Sequence, residues 1–330
     1  MMELGGAMKT AGFGLKQPAV DALTEFRTPL DKVFFVYHMG VPGLDAATWR
    51  LSIGGLVERA VSLSMADLAA FEPVEVTAFH ECAGSPLRPT EPVRRVANVT
   101  WRGVRLADVL RRAGVRPDAR YLWSYGADHG VFGGVESPCY LKDLPIAETE
   151  RPDVLLATHI NGEKLSDEHG APVRLVVPGY YGTNSTKWLV RLEPREIRAP
   201  GHFTTALYND RIMLDGRATT RPVWRVAPHA VIVAPAASAR LSRRAQQISG
   251  WAWGAREIAQ VEVSTDGGAR WRTALLSPRQ QHAWQGFSYD WTPDASGAVE
   301  LCCRATDRSG EGQPEHGARN AVFRLAVDVE

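Results

Sequence analysis

Cys82 closes the run Phe79-His80-Glu81-Cys82 and is followed by Ala83-Gly84-Ser85-Pro86, small and turn-forming residues that would leave its sulfur at a chain reversal with open space above it. A free cysteine is most often a small buried hydrophobe. At such a reversal two chemistries compete with that role. One is a Cys–His nucleophile with His38, His80 or His169 as base, although the local signatures of such hydrolases are missing. The other is a thiolate metal ligand.

A second block, HGAPVRLVVPGYYGTNSTKW at 169–188, carries His169, Arg174, Ser185 and Lys187 among Gly170, Gly179 and Gly182. Glycines let backbone N–H groups approach a ligand closely, and Arg and Lys supply charge-assisted bonds to phosphate. The block is neither a P-loop nor a dinucleotide fingerprint, since G-x-x-x-x-G-K-[ST] and a strand-borne G-x-G-x-x-G are both missing. A solvated loop laced with salt bridges is its bland alternative. One soft sulfur plus a cationic cradle is what a mononuclear metal–organic cofactor needs. His38 ends the apolar run 34–37, Asp128 and His129 fall in a loop after Gly126, and Tyr208 lies in Ala206-Leu207-Tyr208-Asn209-Asp210. Each of these has an ordinary packing or loop role as its default.

The elements that must position these residues are short. Residues 1–30 read as irregular. Residues 49–57 alternate and then turn on Gly54-Gly55, a strand and turn. Ser64 caps a short helix, and 74–79 is the strand that delivers Cys82. Residues 104–113 have a helical period stopped by Gly114, and 121–125 and 174–177 are further strands. Without a regular βαβ rhythm this first domain, 1–222, reads as α+β. From 223 to 330 the texture changes to short strands with turn punctuation, among them Asp266-Gly267-Gly268. That spacing suggests an all-β immunoglobulin-like sandwich, with Trp251, Trp253, Trp271, Trp284 and Trp291 in its core or interfaces.

A chain of 330 residues favours two domains, and 45% hydrophobic with 23% charged residues is ordinary globular composition. A net charge of +1 favours neither nucleic acid nor an acidic membrane surface as partner. No apolar run approaches the roughly 18 residues of a membrane span. The N-terminus lacks an export signal, so the chain reads as cytoplasmic as written, or periplasmic if a leader was removed. Cys82, Cys139, Cys302 and Cys303 form no C-x-x-C pair, and the vicinal pair on a strand points to opposite faces.

Taken in order, FFVYHMGVP, WRLSIGGLV, ECAG, WRGVRLADVL, the long LLATHINGEKLSDEHGAPVRLVVPGYYGTNSTKW, VEVSTDGGARW and RATDRSGEGQP resemble the sulfite oxidase family over about residues 30–327. The resemblance implies a molybdopterin-binding domain followed by an immunoglobulin-like domain that mediates homodimerisation. It matches Cys82 to the thiolate on molybdenum, and His38, Asp128, His169, Arg174, Ser185 and Lys187 to contacts with the pterin and its phosphate. Tyr208 matches a tyrosine beside the substrate pocket. The implied chemistry is two-electron oxo transfer between water and a small-molecule substrate. With no haem module, electrons pass to an external acceptor such as a cytochrome. The family's Arg-Asn-His is replaced here by Val36-Tyr37-His38, and its Cys-Ala-Gly-Asn-Arg-Arg by Cys82-Ala83-Gly84-Ser85-Pro86-Leu87-Arg88. Losing two arginines points away from the sulfite dianion, with Arg88, Arg94 and Arg319 as the spatial substitutes a true sulfite dehydrogenase would use. A non-catalytic binding protein on the same fold is the alternative from another class.

Overall fold

The structure is a computed structural model that describes residues 7–85, 90, 91 and 93–330. It divides into two compact units that are not contiguous in sequence. One takes the chain up to Leu15, Phe35–Val76 and Thr100–Trp224, and the other takes Lys16–Phe34, Thr77–Val99 and Arg225–Glu330. Where sequence texture drew one break at 222, the structure breaks at Trp224 and assigns two earlier segments to the second unit. The segment bearing Cys82 is one of them.

In the first unit a five-stranded sheet runs Leu141–Pro145, Tyr121–Gly126, Leu189–Arg195, Leu51–Ile53, Val61–Leu63, with Leu189–Arg195 and Leu51–Ile53 parallel. A second set of strands is built on Leu155–Ile160, which pairs with residues 101–105, with Arg174–Val176 and with Glu163–Lys164. Leu51, Ile53, Leu106, Leu110, Leu122, Leu156 and Leu192 form its closed core. Helices are few and short: Met65–Ala69, Leu106–Ala113 and His202–Thr205. The unit is therefore mostly sheet rather than a balanced α+β mixture. With 30 glycines and 21 prolines in the chain, few stretches are free of helix breakers.

Local signals behave as their chemistry dictates. Ser64 and Asp67 form a reciprocal capping box, and Gly114 ends its helix at φ 70°. The helical period begins two residues too early in sequence, because Val104 and Arg105 are held in a ladder opposite Leu156 and Leu155. Among residues 1–30, Met8–Ala11 is a strand paired with Gly40–Pro42.

The second unit is a two-sheet sandwich. One sheet runs His229–Ala234, Gln246–Trp253, Gln285–Trp291, Leu275–Leu276, and the other runs Arg240–Leu241, Phe323–Val329, Gly297–Asp307, Ile258–Ser264, Arg272–Thr273. Gly267 and Gly268 take the positive φ values, 69° and 97°, that their turn requires. Trp253 and Trp284 are buried, and Trp251 stacks on Trp284 with centroids 4.7 Å apart. All four cysteines are free. Among the described residues no helix is long and apolar enough to cross a membrane.

Candidate functional site

Antiparallel pairing of Tyr121–Gly126 with Leu189–Arg195 brings the residues just past one strand beside those just before the other. Leu189 lies opposite Gly126, and the Ala127 N–H donates to the Trp188 carbonyl at 2.9 Å. Asp128 and Lys187 are thereby neighbours across Gly126, where a Cβ would come within 2.5 Å of Asp128 Oδ1 and 2.9 Å of the Lys187 carbonyl. Gly170, at φ 100°, presses on the Lys187 stem; a Cβ there would lie 2.8 Å from Lys187 Cβ. The ammonium donates to the Glu168 carbonyl at 2.7 Å and sits 4.0 Å from the Trp188 ring centroid.

Arg174 starts the strand Arg174–Val176 and donates to the carbonyls of His169 at 3.0 Å and Ser185 at 3.2 Å. Its guanidinium lies 4.8 Å from the Trp101 ring centroid. The Ser185 hydroxyl accepts from the Val177 N–H at 3.1 Å, and His169 Nδ1 lies 2.9 Å from Ser166 Oγ. Five residues named from sequence, Asp128, His169, Arg174, Ser185 and Lys187, therefore belong to one cluster. The block is not a solvated loop, since residues 173–181 and 183–186 are buried.

Burial dominates the electrostatics of this cluster. It holds Arg174 down to about 9, and it lowers Lys187 as well, with help from the Arg174 charge. Burial pushes Asp128 well above the usual carboxylate range, opposed by Lys187. Asp128 Oδ1 has no hydrogen-bond partner among the described residues. Two enclosed cations against one buried carboxylate leave an excess of positive charge, which an anionic group relieves.

His38 and Tyr208 form a second arrangement in the same unit. Tyr208 has φ 55°, a left-handed conformation that a bulky residue adopts only when its surroundings enforce it. The enforcing contacts are local: its carbonyl accepts from the Val223 N–H at 2.9 Å, and the next side chain, Asn209, donates to the Thr204 carbonyl at 2.9 Å. The Tyr208 hydroxyl then lies 2.7 Å from His38 Nε2. Phe132, Phe203 and Tyr140 surround the imidazole, with centroids at 4.5, 5.2 and 6.0 Å. Burial, reinforced by the charge of Lys187, lowers His38 to about 4, so the ring is neutral near pH 7.

Sequence reasoning missed two members of this arrangement. Tyr140 donates its hydroxyl to the Thr183 carbonyl at 2.7 Å. Lys142, 1% exposed, donates to the Phe203 carbonyl at 2.8 Å, and its ammonium sits 5.3 Å from the Tyr208 ring centroid. The available signal was Lys142-Asp143 inside an otherwise apolar strand; Asp143 is buried too and is met by Arg198 at 2.7 and 2.8 Å.

Cys82 lies in the second unit, just past the strand Pro73–Glu81. Its N–H donates to the Arg95 carbonyl and its own carbonyl accepts from Ser85 N–H, both at 2.9 Å, so the chain does reverse here. Gly84 N–H points at the sulfur, 3.4 Å away, and Arg95 donates to the Gly84 carbonyl at 3.2 Å. Burial pushes the thiol up, against the pull of the Gly84 N–H and the Arg95 charge. The preceding Glu81 is clamped by Trp253 Nε1 at 2.8 Å and His229 Nδ1 at 3.3 Å. Of the substitute arginines, Arg94 is buried, donates to the Val93 carbonyl at 2.7 Å and lies 5.1 Å from the Phe323 ring centroid. Those contacts make it a packing residue. Arg319 is half-buried in the same unit, and Arg88 lies outside the described residues.

Residues 38–203 match the oxidoreductase molybdopterin binding domain, and 221–326 match the Mo-co oxidoreductase dimerisation domain. Sulfite oxidase of Gallus gallus is 30% identical over 92% of this chain and 71% of its own length. The chain belongs to the sulfite oxidase family. A nitrate reductase [NAD(P)H] of Hordeum vulgare is 29% identical over 92% of this chain and 39% of its own length. The sulfane dehydrogenase SoxCD from Paracoccus pantotrophus superposes with a TM-score of 0.83, at 30% identity, over 96% of this chain and 87% of that one. This sulfite oxidase family member is thus a molybdenum-cofactor-dependent oxidoreductase. Its residues fit the cofactor: the cationic excess around Arg174 and Lys187 suits an anionic pterin tail, and Gly126 and Gly170 let Asp128 and Lys187 pack in where a Cβ would clash.

Proposed function

We propose that Cys82 is the thiolate ligand of molybdenum and that Asp128, His169, Arg174, Ser185 and Lys187 hold the pterin and its phosphate, with His38 and Tyr208 flanking the substrate. Bound molybdenum supplies two-electron oxygen-atom exchange between water and a small substrate. The substrate is a reduced-sulfur compound of low charge, or an S- or N-oxide in the reverse direction, rather than the sulfite dianion. The observation that carries this choice is the wall around His38: Phe132, Phe203 and Tyr140 ring the imidazole, while of the two cations near this pair Lys142 sits against the Tyr208 ring and Lys187 donates to the Glu168 carbonyl. Aromatic walls favour neutral, polarisable groups and leave a dianion poorly solvated. Val36 and Tyr37 supply no guanidinium immediately ahead of His38. The Tyr208 hydroxyl donates to a substrate oxygen, and neutral His38 keeps the phenol oriented.

Electrons leave to a separate redox carrier such as a cytochrome. The second unit is an immunoglobulin-like sandwich that pairs two copies of the chain, and sedimentation of the intact protein as a dimer of 36.2 kDa chains tests this. For the site, protein from a cofactor-competent host is assayed for molybdenum and pterin, parent against Cys82→Ser. Unchanged molybdenum-dependent turnover in Cys82→Ser sinks the ligand assignment. Dye reduction by sulfite with a low-micromolar KM overturns the substrate choice, whereas preference for a sulfane or S-oxide substrate supports it.

A further inference from the structure

A row of three basic side chains, two of them permanent cations, crosses neighbouring strands of the first unit. His159 lies directly opposite Arg102 on one side and opposite Lys164 on the other. Directly opposed residues share a sheet face, so Arg102 and Lys164 flank His159 on one side of the sheet. Burial together with the Arg102 and Lys164 charges lowers the basicity of His159, which reflects this crowding. Arg105, further along the strand that bears Arg102, is by contrast paired with Glu72 and Asp108. Arg102 and Lys164 have no ion pair or hydrogen bond from their side chains among the described residues, although the chain holds 37 acidic against 38 basic residues. Both side chains are exposed and are left without a carboxylate.

The row opens onto a cleft of about 380 Å³. Its walls are Leu44, Met65, Leu68, Phe71, Val104 and Leu165, with Arg102, His159 and Lys164 among the lining residues. Met65 reaches it from the short helix capped by Ser64, and Phe71 from just beyond that helix. Volume and apolar lining are those of a small-molecule pocket, in which a few polar groups fix orientation. None of the residues placed around the pterin or at the His38–Tyr208 pair lines it.

We propose that this cleft is a separate binding site for an amphipathic carboxylate, with the acid group held by Arg102 and Lys164 at the His159 row and the apolar body lying on Met65, Leu68 and Phe71. The charge pattern selects the ligand. Two cations with no internal carboxylate suit an anionic head, and the apolar walls suit a hydrocarbon or aryl body.

The test is calorimetric titration of the molybdenum-loaded protein with sodium decanoate, beside decanol and acetate. The same titration is run on Arg102→Gln/Lys164→Gln and on Ala69→Trp, which projects an indole into the cleft from an exposed position. Decanoate is expected to bind the parent one to one, with decanol and acetate each at least tenfold weaker, and with either variant at least tenfold weaker for decanoate. Thermal melting checks that both variants stay folded. No decanoate binding by the parent overturns the proposal, as does equal binding by the charge variant or equal binding of decanol. Capture by phosphatidylglycerol vesicles without binding of free decanoate overturns it in favour of a membrane surface.

Discussion

The Tyr208 hydroxyl and His38 Nε2 meet at 2.7 Å across 170 positions of sequence. The contact joins a residue held at positive φ to one enclosed by aromatic rings, so neither partner moves freely. A phenol aimed this way is a fixed donor or acceptor for a small oxygen-bearing ligand. That pairing connects the substrate proposal to the backbone strain at Tyr208.

Tyr208→Phe keeps the ring and deletes the hydroxyl. Turnover is expected to fall about tenfold or more, the effect of losing about 1.4 kcal/mol in the transition state. Molybdenum content and melting temperature should stay at the parent values. A kcat within twofold of the parent would place Tyr208 outside the reaction.

Gly170→Ala places a methyl 2.8 Å from Lys187 Cβ at a backbone φ of 100°. Strain and overlap together should destabilise the protein by about 1–3 kcal/mol. Because the side chain pressed aside is Lys187, retention of molybdopterin should fall as well. Urea denaturation and metal analysis of the purified variant measure the two effects separately.

Glu81→Ala strips the buried acceptor from Trp253 and His229, both about 1% exposed. Leaving those donors unmatched should destabilise by about 1–3 kcal/mol. Glu81→Gln retains an acceptor for the indole N–H and should lose less. Chemical denaturation of the two variants distinguishes this clamp from a surface role, in which both changes would be near neutral.

Burial lowers Lys142 to about 8 from its ordinary 10.5. Between those values the unfolded chain holds the proton and the folded one does not, so unfolding takes up a proton. Stability from this group therefore rises as pH climbs through that window and is lowest below about pH 8. In Lys142→Met that contribution vanishes. The gain in melting temperature from about pH 7.5 to about pH 9.5 should be smaller in the variant than in the parent. Lys187 remains in both proteins, so the difference isolates Lys142.

The grouping of the residues proposed for the cofactor had a signal in the residues themselves. Arg174 and Lys187 set among glycines named an anion site, and the structure encloses both together with Asp128, His169 and Ser185. Ser64 with Asp67, and Gly114, were equally legible, because a cap depends on backbone groups within one helical turn. Strand pairing was less so. Val104 and Arg105 carry a helical period yet stay in a ladder, because their partners Leu156 and Leu155 lie some 50 positions away.

The sequence by itself determined which residue types are available for the proposed metal and anion contacts: one cysteine at a chain reversal, and a cationic, glycine-rich block behind it. Only tertiary structure decided what surrounds them. It assigned the Cys82 segment to the second unit, turned Arg94 into a packing residue against Phe323, and set Lys142 and Tyr140 beside Tyr208 and His38. The reason is physical. A side chain's chemistry is local, but its burial, charge balance and hydrogen-bond partners come from strands that pair across long stretches of chain.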